Sequence, residues 1–102
     1  MRPVVLIPVF DHERAIGAVV AQVEAQGLPV LLVDDGSQPS CAAVLEALAR
    51  RPGVTLLRRD ANGGKGAAVI SGLREAERLG FTHAVQVDAD GQHDLGDLAL
   101  FL

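Results

Sequence analysis

The sequence predicts an α/β fold, a Rossmann-like parallel sheet with helices on both faces. Three observations predict it. Val4-Val5-Leu6-Ile7 and Val30-Leu31-Leu32-Val33 are short apolar runs without alternation, as strands buried on both faces are. Between the strand-like runs, apolar residues recur at i, i+3, i+4 and i+7, the stripe of an amphipathic helix. The two patterns alternate along the whole chain, which implies right-handed crossovers and a covered parallel sheet.

The elements follow in order. The first strand is residues 4–7 and runs into Pro8. Ile16, Val19, Val20 and Val23 mark the first helix, and Gly27 stands where it should stop. Residues 30–33 form the second strand and end in Asp34-Asp35-Gly36-Ser37. Cys41, Val44, Leu45 and Leu48 give the second helix, with Ser40 as its N-cap and Pro52-Gly53 after it. Residues 54–57 read as a third strand, followed by the loop Asn62-Gly63-Gly64. Val69, Ile70, Leu73 and Ala76 give the third helix, closed by Gly80. Residues 84–87 form the fourth strand and lead into Asp88-Ala89-Asp90-Gly91-Gln92-His93. A last helix is expected from Asp94, with Leu95, Leu98 and Leu102 on one side.

Composition narrows the function. The 102 residues make one domain or part of one, and 49% hydrophobic content excludes a disordered tail. With no Trp or Tyr, the core must come from Val, Leu, Ile and Ala. A net charge of −4 argues against a nucleic-acid partner, which needs a clustered positive field. Arg50-Arg51 and Arg58-Arg59 read as solvated local pairs. The single cysteine, Cys41, excludes an internal disulfide and falls on a helical stripe, as a small buried hydrophobe does. No run approaches the length of a membrane span, and the first apolar run is too short for a signal peptide. The expected location is the cytoplasm.

Ligands bind beyond the carboxyl ends of the strands in such sheets. Four polar segments gather there: residues 11–13, 34–37, 62–65 and 88–93. Asp88 and Asp90 repel one another, and a hard divalent cation, Mg2+ or Mn2+, relieves that cost. Gln92 adds a neutral oxygen, while His93 suits that oxygen shell poorly. The same residues also suit a turn with Asp94 as a helix N-cap. Asp34 and Asp35 can accept hydrogen bonds from a ribose or a base, or simply shape a tight turn. Asn62-Gly63-Gly64-Lys65-Gly66 opens a helix, where backbone N–H groups favour an anion and Lys65 can neutralise a phosphate. It is not a P-loop, because Gly66 stands where Ser or Thr is needed. A dinucleotide fingerprint is excluded as well, since Pro8-Val9-Phe10-Asp11 follows the first strand.

Taken together, Ile7-Pro8-Val9-Phe10-Asp11, Val33-Asp34-Asp35-Gly36-Ser37, Asn62-x-Gly64-Lys65-Gly66-Ala67-Ala68 and Val87-Asp88-Ala89-Asp90-Gly91-Gln92-His93-Asp94 resemble family 2 glycosyltransferases. The likeness is to the N-terminal, nucleotide-sugar-binding half of their GT-A fold and covers essentially the whole chain. The last motif is most similar to the branch that makes polyprenyl-phosphate sugars. The resemblance implies transfer of a sugar from a GDP- or UDP-sugar to an acceptor, a lipid phosphate in that branch. It implies that Pro8 and Phe10 line the base pocket, with Asp35 on base or ribose and Asp34 supporting it. Asp88 would face the nucleotide or the metal shell, and Asp90 and Gln92 would hold Mg2+ or Mn2+ on the diphosphate.

Asp11 stands where the family usually has Asn, and His12 where it often has Glu, which alters the charge near the base pocket. Residues 1–102 are expected to be the donor-binding part of a longer domain, cut after the Asp-x-Asp loop. The general base is expected beyond residue 102, and the piece alone is expected to be inactive. A bare outer edge on the fourth strand is expected to invite pairing with a second copy. Any membrane contact is expected at the inner face of the membrane. The alternative reading is a non-catalytic nucleotide-binding module. A phosphoacceptor receiver domain needs an acidic pair where Pro8-Val9 stands, and a nucleotidyltransferase needs a glycine-rich basic loop there.

Overall fold

The computed structural model describes residues 2–60 and 62–90, and the backbone of 99–101. Its elements are β1 (Pro3–Val9), α1 (Ile16–Ala25), β2 (Val30–Asp35), α2 (Pro39–Leu48), β3 (Val54–Arg59), α3 (Lys65–Arg78), β4 (His83–Gln86) and β5 (Ala99–Phe101). The sheet order is β3-β2-β1-β4-β5. β1 through β4 pair in parallel, as the alternating pattern requires.

The alternation of β1 sorts the core into two layers. Val5, Ile7 and Val9 face α1 and α2, where Ile16, Val20, Val23 and Leu45 are fully buried. Val4 and Leu6 face the other way, with Leu31 and Val33, against Ala68 and Ala76 of α3. Helices therefore cover both faces, and the central strands β1 and β2 are buried on both, which is why their apolar runs are continuous.

Three expectations need correction. The last residues do not continue as a helix: Ala99–Phe101 is a strand, antiparallel to β4 with His83 opposite Phe101. Leu95, Leu98 and Leu102 lie outside the described residues. An apolar run of three residues beside an open ladder gains more by pairing than by starting a helical turn. The edge of β4 is thus covered from His83 to Val85, and the bare edge that was to drive self-association is absent.

The stripe of α3 is also shifted. Ala68, Gly72 and Ala76 are its buried line, Val69 and Leu73 flank it, and Ile70 is 54% exposed. Close approach decides this. A Cβ on Gly72 would lie 2.6 Å from Leu6 and 2.8 Å from Val33, so only small residues let α3 settle on β1 and β2. Finally, α2 starts two residues earlier than the Ser40 cap implies, with Gln38 at the N-cap and Pro39 as the first helical residue. Among the described residues, no helix is long and apolar enough to cross a membrane.

Candidate functional site

The chain leaves β1 through α1 toward β2, and returns over the opposite face through α3 to reach β4. The strand order therefore reverses beside β1, and a crevice opens at the carboxyl ends there. Pro8 helps to open it. The Leu6 carbonyl accepts from the Val87 N–H at 3.0 Å, so even-numbered residues of β1 turn their backbone toward β4. Pro8 is next on that side and has no N–H to offer, and the ladder with β4 ends before it.

The crevice is a cleft of about 350 Å³, within the range of small-molecule sites. Pro8, Phe10, Asp35, Lys65, Asp88 and Asp90 all line it. Six of the residues singled out from sequence thus meet in one place. Asp34 does not: it opens on a neighbouring depression beside Arg58. Gln92 and His93 lie outside the described residues. His83, at the far end of β4, is bonded to the Thr82 hydroxyl at 2.8 Å and is remote from the cleft.

One wall is Phe10, 41% exposed, on the loop after β1. That loop is pinned. The Asp11 N–H donates to the Ser37 hydroxyl (3.0 Å), and the Gln38 N–H donates to the Asp11 carboxylate (2.7 Å). Asp11 adopts φ 57°, a left-handed conformation that Asp and Asn tolerate better than other residues with side chains. The Phe10 N–H donates to Nδ1 of His12, which joins the lining.

The floor is built around Asp35, 3% exposed. Its carboxylate accepts from the Gly63 N–H (3.1 Å), the Gly64 N–H (2.9 Å) and Arg59 Nε (2.9 Å). Arg59 also donates to the Ala67 carbonyl and the Ser71 hydroxyl of α3. This guanidinium underlies the glycine loop, and a Cβ on Gly63 would come within 2.5 Å of it. Gly64, the α3 N-cap at φ 90°, needs glycine for its backbone conformation. Arg59 was read as solvated surface, and that expectation is wrong. Its sequence position was informative, since the register sets Asp35 directly opposite Arg59 on β3. Asp34, 1% exposed, supports the same turn by accepting from the Ser37 N–H at 2.9 Å. Arg58 lies 3.4 Å from it.

The mouth holds Lys65, Asp88 and Asp90. Lys65 is the first residue of α3, and its ammonium pairs with Asp88. Asp88 and Asp90 bring two hard carboxylate oxygen donors to the cleft, which fit Mg2+ or Mn2+, ions that take few protein ligands. Among the described residues, no group of three or more His, Cys, Asp or Glu is placed to hold a metal. Cys41 is buried away from the cleft, and burial pushes its thiol up from its ordinary value.

The sequence matches the family model of glycosyl transferase family 2 over residues 4–102. A UDP-N-acetylglucosamine–dolichyl-phosphate N-acetylglucosaminyltransferase of Methanococcus voltae is 31% identical, over 92% of this chain and 43% of that protein. A polyprenol monophosphomannose synthase of Mycolicibacterium smegmatis is also 31% identical, over 99% of this chain and 40% of that protein. The chain therefore spans about two-fifths of the length of these relatives. Among solved structures, a mannosyltransferase of Pyrobaculum calidifontis in complex with GDP-Man and Mn2+ superposes with a TM-score of 0.75. It is 23% identical, over 87% of this chain and 27% of that one. S. aureus TarS 1-349 in complex with UDP gives 0.74 at 22% identity, over 88% of this chain and 28% of that one. These likenesses establish the fold.

Proposed function

The chain belongs to glycosyl transferase family 2, and on that premise we propose that its cleft binds the nucleotide-sugar donor of a sugar transfer to a polyprenyl phosphate. The carrying observation is convergence. An exposed aromatic ring, a buried acceptor carboxylate, a glycine-rich helix start and a pair of mouth carboxylates line one cleft at the strand ends.

Each part has a task. Phe10 offers a face on which a base stacks, beside Pro8. Asp35 keeps acceptor capacity on the oxygen that receives only Gly64, enough for one ribose or base donor. Asp34 braces the loop behind it. The N-terminus of α3 and Lys65 receive the diphosphate. Asp88 and Asp90, with Gln92, hold the divalent cation, Mg2+ or Mn2+. When bound, that ion offsets the charge that grows on the nucleoside diphosphate as the sugar leaves. A phosphate acceptor is largely ionised near neutral pH and so carries its own nucleophilic oxygen. Transfer to it takes place at the inner face of a membrane, from the cytoplasm.

Calorimetric titration of GDP and UDP, with and without Mn2+, tests this reading. Metal-dependent binding that disappears in Asp90→Ala is the expected result, and the tighter nucleotide identifies the base. A folded protein that binds neither nucleotide in the presence of Mn2+ overturns it.

A further inference from the structure

We infer that Arg59 decides which base the cleft accepts: it fills one oxygen of Asp35 and leaves that carboxylate a single acceptor position, enough for the one ring N–H of uracil and short of the two adjacent donors of guanine. This rests on the reading of the cleft given above and names its nucleotide. Arg59 acts through Asp35 and is therefore a positioning residue.

A carboxylate offers about four acceptor positions on its two oxygens. Oδ1 of Asp35 receives the Gly63 N–H at 3.1 Å and Arg59 Nε at 2.9 Å, and Oδ2 receives the Gly64 N–H at 2.9 Å. Among the described residues these are its donors, so one position remains, on Oδ2. Arg59 does not give up its share readily. Strand register sets it opposite Asp35, and its Nη1 is tied to the Ala67 carbonyl (3.3 Å) and the Ser71 hydroxyl of α3. A ligand donor that displaced it would break a charge-assisted bond to a carboxylate only 4% exposed.

His12 supplies the complementary group. Its Nδ1 accepts from the Phe10 N–H at 3.1 Å, so the neutral ring carries its proton on Nε2. His12 lines the same cleft as Asp35. One acceptor and one donor match an N–H beside a carbonyl, the edge that uracil and guanine share. Guanine adds an amino group on the other side of that N–H, which needs a second acceptor. Oδ1 is where a carboxylate ordinarily supplies one, and Arg59 and Gly63 hold it. The amino group then loses water without gaining a partner. Uracil carries a carbonyl in that place, and its oxygen is favoured beside a guanidinium.

Calorimetric titration in the presence of Mn2+ tests this with three probes, UDP, GDP and inosine diphosphate, which is GDP without the amino group. In the unaltered protein, UDP and inosine diphosphate should each bind at least about tenfold more tightly than GDP, the scale of one donor left unpaired. Arg59→Met frees the second position on Oδ1, so GDP and inosine diphosphate should then differ by less than about threefold. A merely structural loss weakens all three and leaves their ratios unchanged. GDP binding as tightly as either other probe in the unaltered protein, or an unchanged ratio in a folded Arg59→Met, overturns the inference. The first comparison needs no variant and decides even if Arg59→Met does not fold. If GDP and UDP bind with Mn2+ and Asp90→Ala abolishes this, yet the amino group makes no difference, only the inference has failed. If none of the three probes binds, the reading of the cleft has failed and takes the inference with it.

Discussion

Two acidic segments end two parallel strands of one sheet, and they are put to opposite uses. Asp34 and Asp35, at the end of β2, are almost wholly buried and receive backbone N–H groups and arginines at fixed positions. Asp88, just past β4, is partly open and meets a long, flexible lysine. The residue type is the same and so is the place in the fold. What differs is the access of water and the mobility of the cation that each meets. A carboxylate caged by amides holds a loop in shape. A carboxylate paired with a mobile ammonium can exchange that partner.

The most severe way to break the comparison is Asp35→Ala. It leaves a partly buried guanidinium without its carboxylate and the Gly63 N–H without its acceptor, and should cost about 3–5 kcal/mol in urea unfolding. Gly63→Ala tests the same cage from the other side. Its methyl group meets Arg59, so a loss of about 1–3 kcal/mol is expected, with weaker nucleotide binding. Asp88→Asn should behave in the opposite manner. Stability should change by no more than about 1 kcal/mol, while metal-dependent nucleotide binding falls at least about tenfold. If Asp35→Ala and Asp88→Asn destabilise equally, the division between scaffold and exchangeable carboxylate is wrong.

The weakest effect should come from a third carboxylate, Glu75, which pairs with Arg78 on the solvent side of α3. The Arg78 hydrogen bond holds the Glu75 carboxyl below its ordinary range. A depressed carboxylate stabilises above its unfolded pKa and loses that contribution as the pH falls through its folded one. Glu75→Gln should therefore lower the urea midpoint slightly at pH 7 and leave it unchanged in strong acid. Cys41 gives a parallel check on burial. Its raised pKa and enclosure predict slow alkylation at pH 8 that becomes fast once urea unfolds the chain.

Much of this was legible in advance. Ile16, Val19, Val20 and Val23 are the buried face of α1, as their spacing implies. Gly27 ends that helix in a left-handed conformation. The expectation for α3 went astray because it weighted large side chains, whereas close packing on Leu6 and Val33 selected Ala68, Gly72 and Ala76. Residues 99–101 were misread because a run so short carries no period of its own, and only the open side of β4 makes it a strand. Arg59 looked like surface because an arginine beside an arginine usually is. Its role depends on a residue 24 positions earlier in the chain.

The sequence by itself determined the alternation of strands and helices, the faces of β1, the loops that carry polar residues and the family. All of these rest on local periodicity or short motifs, which survive without knowledge of distant partners. Only the tertiary structure decided how the acidic residues divide their work. Register between β2 and β3 puts Arg59 opposite Asp35, and the start of α3 brings Lys65 to Asp88. Partners so far apart in sequence are chosen by how the sheet and helices pack, and the partner decides whether a carboxylate is a brace or a binding group.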